Sequence, residues 1–85
     1  MTALRYTVLI YPDEGAYSVV VPALPGCVTW GNTLDEAVAS AREAIEGHVA
    51  ALRDTGQDVP EELATPLVTT LEVDAPSSAP APATA

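Results

Sequence analysis

The stretch Val21-Pro22-Ala23-Leu24-Pro25-Gly26-Cys27-Val28-Thr29-Trp30-Gly31-Asn32-Thr33-Leu34-Asp35-Glu36-Ala37 decides the fold. It runs from the end of a strand through a proline-rich connector and a second short strand into a helix start. Thr33-Leu34-Asp35-Glu36 fits a capping box, in which a Thr hydroxyl accepts an N–H of the first turn and a Glu three residues on reaches back. Asp35 and Glu36 also stand at the positive end of the helix dipole. From there Leu34, Val38, Ala41, Ile45, His48 and Leu52 recur every three or four residues, and Ala37, Ala44 and Val49 widen the stripe. This spacing predicts an amphipathic helix of about twenty residues ending near Gly56. Its outer face carries Asp35, Glu36, Arg42, Glu43, Glu46, Arg53 and Asp54.

Working outward, residues 22–26 hold two prolines and cannot form a central strand. Pro25-Gly26 predicts a type II turn, with Gly26 supplying the positive φ. Residues 27–30 read as a short strand that Gly31-Asn32 breaks. Residues 4–11 and 16–21 alternate apolar and polar positions, and Pro12-Asp13-Glu14-Gly15 between them reads as the tight turn of a hairpin. Beyond the helix, Pro60 and Pro66 frame a loop, and residues 67–73 alternate again, with Leu67, Thr69, Leu71 and Val73 on one side. The expected architecture is α+β in the order β-β-β-α-β, a small antiparallel-type sheet with one amphipathic helix on one face. One helix covers only one face of such a sheet, so the opposite face must be polar or be buried by another subunit or partner.

Composition narrows the function. Of 85 residues, Lys and Arg contribute 3 and Asp and Glu 12, a net charge of −9. Such a chain does not hold a phosphate backbone by itself, because that affinity comes from Lys and Arg neutralising phosphates. A single cysteine, Cys27, excludes an internal disulfide, and one His with one Cys cannot furnish the four ligands of a structural zinc site. A hydrophobic fraction of 48% is too high for a disordered chain. The uncharged run 15–34 contains Pro22, Pro25, Gly26 and Gly31 and alternates, so it is no membrane helix. No secretory signal pattern is present at the N-terminus, and a cytoplasmic location is expected. Residues 75–85 use only Ala, Pro, Ser and Thr and are expected to form a disordered tail, which leaves residues 1–74 as the folded domain carrying all the charge.

Several of these residues together resemble the HicB antitoxin family. The matching elements are Tyr6-Thr-Val-Leu-Ile, then Asp13-Glu14-Gly15-x-Tyr17-x-Val19, then Val21-Pro22-x-Leu24-Pro25-Gly26-Cys27-x-Thr29-x-Gly31-x-Thr33-x-x-Glu36-Ala37, and finally Ala41-Arg42-Glu43-Ala44-Ile45. The resemblance implies an α+β domain related to a partial ribonuclease H-like fold, and a type II toxin–antitoxin context. There the partner is a small basic ribonuclease, a HicA-type toxin, blocked by direct contact. Many members add a C-terminal DNA-binding domain. Residues 75–85 leave no room for one, so the expectation is a stand-alone HicB-like domain, with a protein-binding or oligomerisation module lacking a toxin as the alternative.

A ribonuclease H-like relationship raises the question of metal-dependent cleavage, which needs carboxylates converging from strands. The expected strands carry only Glu72, and no catalytic residue, metal ligand or cofactor is assigned. Cys27 lacks a base and is expected to pack as a small hydrophobe, and His48 to sit at the core edge. Gly15, Pro22, Pro25, Gly26, Cys27, Gly31 and Thr33 are assigned to the structural motif. Trp30 either packs under the helix start or stands exposed as an interface anchor. Asp13, Glu14, Asp35, Glu36, Glu43 and Glu46 are candidates for contact with a basic partner, against the simpler reading that acids keep an Ala-rich chain soluble. The uncovered sheet face and open strand edges point to a homodimer or higher homo-oligomer.

Overall fold

The computed structural model of the protein describes residues 3–76; the remainder of the expected tail, from Ser77 on, lies outside the described residues. The elements are β1 (Leu9–Asp13), β2 (Ala16–Val20), β3 (Val28–Gly31) and α1 (Leu34–Asp54). The strands form one antiparallel sheet in the order β1-β2-β3. Both expected hairpin strands are present, but the ladder begins only at Leu9, and residues 4–8 extend without ladder pairing. The turn also differs from expectation. Asp13 pairs with Ala16, so the loop is Glu14-Gly15 alone, and both have positive φ, 47° and 83°. That is the dihedral pattern of a type I′ turn, whose twist matches the flanking strands. Pro12 therefore lies inside the edge strand β1 rather than in the turn, where its missing N–H costs no inner ladder bond.

The connector 22–26 is a double turn. The Leu24 N–H donates to the Val21 carbonyl (3.0 Å) and the Cys27 N–H to the Leu24 carbonyl (2.9 Å), while the Val21 N–H closes the ring onto the Cys27 carbonyl (3.1 Å). Each proline occupies the second position of a turn, where its φ is preset, and Gly26 takes φ +83° as a type II turn requires. The result plants Leu24 and Cys27 in the core beside Val21 and Val49. Burial pushes the Cys27 thiol pKa up, which keeps it protonated and inert.

Helix α1 begins as expected at its Thr33 cap. The Glu36 N–H donates to Thr33 Oγ1 (3.1 Å), but the Glu36 carboxylate accepts from the Asn32 N–H (3.1 Å), one residue before the cap. The helix closes with a Schellman pair: Gln57 N–H to the Leu52 carbonyl and Gly56 N–H to the Arg53 carbonyl. Ala37, Ala41 and Val49 are its buried residues. Leu34 and Val38, expected on the core stripe, are exposed at its margin. The core has two parts, Val21-Leu24-Cys27-Val49 and Val19-Ala37-Ala41, and Val8 packs against both. The helix lies mainly over β3 and β2.

The expected last strand, residues 67–73, does not form; this part of the chain is extended and exposed. Its alternation is that of a strand, but a strand needs an edge to pair with, and no edge among the described residues meets it. The chain after α1 is instead held one step earlier. The Tyr6 hydroxyl donates to the Pro60 carbonyl (2.6 Å), and the Thr7 N–H and hydroxyl both donate to the Glu62 carboxylate (2.7 Å each). These bonds hold the Glu62 carboxyl pKa below the usual range, with Arg5 assisting. Burial, with repulsion from Glu61, raises that of the Tyr6 phenol.

Two tests follow from this packing. A Cβ at Gly31 would stand 2.7 Å from the Ala37 Cα and closer still to its amide nitrogen, so Gly31→Ala must push β3 and α1 apart. Urea unfolding should show a loss of about 3 kcal/mol, the upper end of overpacking because both obstructing atoms are backbone. Gly47→Ala, on an open helical position, should instead gain about 1 kcal/mol. For the Glu62 clasp the folded pKa is depressed. Its contribution is therefore present above the unfolded carboxylate pKa and is lost as pH falls through the folded value. The Thr7 amide resonance should titrate with an apparent pKa below that of an ordinary Glu, and Glu62→Gln should abolish that titration.

Candidate protein interface

Strand register builds the site. With Ile10, Val19 and Thr29 turned toward α1, the alternate residues form two rows on the far side of the sheet: Leu9–Val20–Val28 and Tyr11–Ser18–Trp30. No element of the described chain covers this face. Trp30 is 60% exposed and Val28 64%, and Tyr11 is exposed across β2 from them. Of the two readings of Trp30, the structure shows the exposed one. An indole and a phenol flanking a serine hydroxyl give a flat amphipathic surface, the composition that dominates protein interface hot spots.

The acidic candidates divide by location. Asp13 and Glu14 lie at the hairpin end, which meets the helix start across a shallow depression of about 390 Å³ lined by both of them with Thr33 and Leu34. Asp35 and Glu36 belong to the first turn of α1, so all four gather at one end of the molecule. Glu36 is partly committed, since its carboxylate holds the Asn32 N–H. Glu43 and Glu46 are elsewhere: both are exposed on α1, and Glu46 lines a groove on the β1 side of the helix. The six acids thus do not make one patch.

The motif residues Gly15, Pro22, Pro25, Gly26, Cys27, Gly31 and Thr33 occupy turns, core and cap. His48 is half-buried on α1. Among the described residues no three His, Cys, Asp or Glu side chains are grouped as a metal ion would need. No helix there is long and apolar enough to cross a membrane. Sequence reasoning missed Tyr11 and Val28 as partners of Trp30. The signal was present in the alternation, but only the register places those three on one surface.

A three-stranded α+β domain with one face of its sheet uncovered is the class this geometry defines. Residues 6–75 match the family described as HicB_like antitoxin of bacterial toxin-antitoxin system, and the chain belongs to that family. A UPF0150 protein of Thermoplasma acidophilum is 44% identical over 60 residues, covering 69% of this chain and 87% of that protein. Another from Synechocystis is 40% identical over 59 residues, covering 68% and 75%. Among solved structures, the N-terminal domain of the Burkholderia pseudomallei antitoxin HicB superposes with a TM-score of 0.61 at 42% identity, covering 68% of this chain and 69% of that one. The longer structure of that antitoxin gives 0.67 at 39% identity, and there the match covers 74% of this chain and 47% of the other.

One residue of the site carries a backbone cost. Glu14 is the only non-glycine with positive φ among the described residues. Replacing it with Asn, which tolerates that conformation, should raise stability by about 1 kcal/mol in thermal or urea unfolding.

Proposed function

We propose that this chain is an antitoxin that binds a HicA-type ribonuclease toxin and inhibits it by masking its RNA-binding surface. The observation that carries this reading is the open sheet face, with Trp30 exposed on its β3 edge and Asp13, Glu14, Asp35 and Glu36 gathered at one end. A ribonuclease must be positive where it grips RNA. An acidic protein is steered to that surface and competes with phosphate there, while aromatic side chains supply the short-range affinity. Membership in the HicB-like antitoxin family supports the same reading. Inhibition in this form asks no catalysis of the chain; occupancy of the toxin surface is sufficient.

The test is co-expression with a HicA-type toxin gene, followed by titration calorimetry of the purified pair. Rescue of growth and a stoichiometric complex are expected. Trp30→Ala should weaken binding by about 30-fold, roughly 2 kcal/mol, with the fold intact by circular dichroism. Neutralising Asp13, Glu14 and Asp35 together should slow association by about 10-fold at low salt and flatten its salt dependence. Absence of both rescue and binding by the unaltered chain would overturn the proposal.

A further inference from the structure

Two unsatisfied features lie outside the open sheet face, and they complement each other. The first is a groove of about 1080 Å³ between α1 and the extended residues 4–10. Because the helix packs mainly over β3 and β2, the β1 side of its apolar stripe is left open, and Val8, Ile10, Val38 and Ile45 line the gap. One wall is β1, an edge strand with unpaired backbone groups. Arg5, Arg42 and Arg53, the only cations of the whole chain, all border this groove, outnumbering Glu46 and Asp54 there. A protein of net charge −9 has placed its entire positive charge around one apolar slot.

The second feature is the segment that follows the Glu62 clasp. It is extended, its apolar residues alternate as in a strand, and they stand exposed: Leu67 is 97% exposed and Leu71 80%. Its charged residues, Glu72 and Asp74, are both acidic. The clasp anchors residues 60–62 beside Tyr6 and Thr7, and the chain departs from there without entering its own groove. Each copy therefore presents an unpaired, acid-flanked apolar strand and an arginine-rimmed apolar slot beside a free strand edge.

We infer that the groove is the docking site for residues 67–73 of a second copy of this chain, so that two copies exchange these segments reciprocally. Leu67, Leu71 and Val73 enter the slot against Val38 and Ile45. The backbone extends the sheet along β1, and Glu72 and Asp74 meet the arginine rim. Exchange in both directions makes a closed two-fold dimer and leaves no segment over, which stops further assembly. The Trp30 face takes no part and stays available to a different partner.

The 85-residue chain should run as a dimer by size-exclusion chromatography with light scattering at about 100 µM, dissociating on dilution. Leu67→Asp with Leu71→Asp should weaken the dimer by about 100-fold; both side chains are exposed in the single copy, so its fold does not depend on them. A chain carrying only Val38→Cys, mixed with a size-tagged chain carrying only Leu71→Cys, should form a disulfide between the two different chains. Chains without the added cysteines, in which Cys27 is buried, serve as the control. A monomer at that concentration, a dimer indifferent to the two Asp substitutions, or a mixture that forms no disulfide between the two different chains would each overturn the inference. Toxin binding is read separately: its failure with dimerisation intact would strike the antitoxin proposal alone, and the reverse would strike only the exchange.

Discussion

The rest of the structure depends on the contact between Gly31 and the first turn of α1. β3 ends at Gly31, the chain turns over two residues, and the helix begins at Leu34 directly above the strand it has just left. With a side chain at position 31 the helix could not descend to that distance. Because it does, Ala37 and Ala41 seat on Val19, and the helix is fixed over β2 and β3. Small residues on the helix and the missing side chain at Gly31 on the strand set the interlayer gap. The lateral offset of the helix then follows, and with it the groove on the β1 side. The uncovered outer face is the other consequence, since one helix has only one sheet face to give.

Local chemistry was legible where it acts within a few residues. The Thr33 cap, the Pro25-Gly26 turn and the helix stop near Gly56 each depend on groups that are neighbours in the chain, and each is present. The hairpin was legible as a hairpin, but not its turn, because Pro12-Asp13 carries the residue types of a turn while the register closes one step later on Glu14-Gly15. Residues 67–73 were misread for a deeper reason. Alternation records that two faces of a segment differ; it does not record which chain supplies the edge beside it. Trp30 had two readings for a related reason, since a short strand allows either face to point at the helix, and only the register, with Trp30 opposite Ser18 and Val28 opposite Val20, decides. The Thr7–Glu62 clasp left no trace in any pattern, being a contact between residues 55 positions apart.

The charge of the molecule is organised rather than merely large. The negative groups at the hairpin end and the helix start stand where the turn and the helix dipole already favour them, at the margin of the aromatic face. The positive groups lie across the helix on the other side, around the groove. A uniform acidic coat would serve solubility equally well with its arginines scattered. Segregation instead makes two surfaces of opposite local character, and each repels what the other attracts.

That segregation bears on how so small a domain stays folded. Its buried side chains divide into two clusters of four and three residues joined through the half-buried Val8, which is a thin core for a chain of this length. Val8 lies in the unpaired lead-in to β1, at the wall of the groove, so the link between the two clusters is the part of the core nearest to solvent. Anything that fills the groove dries Val8 and stiffens the join.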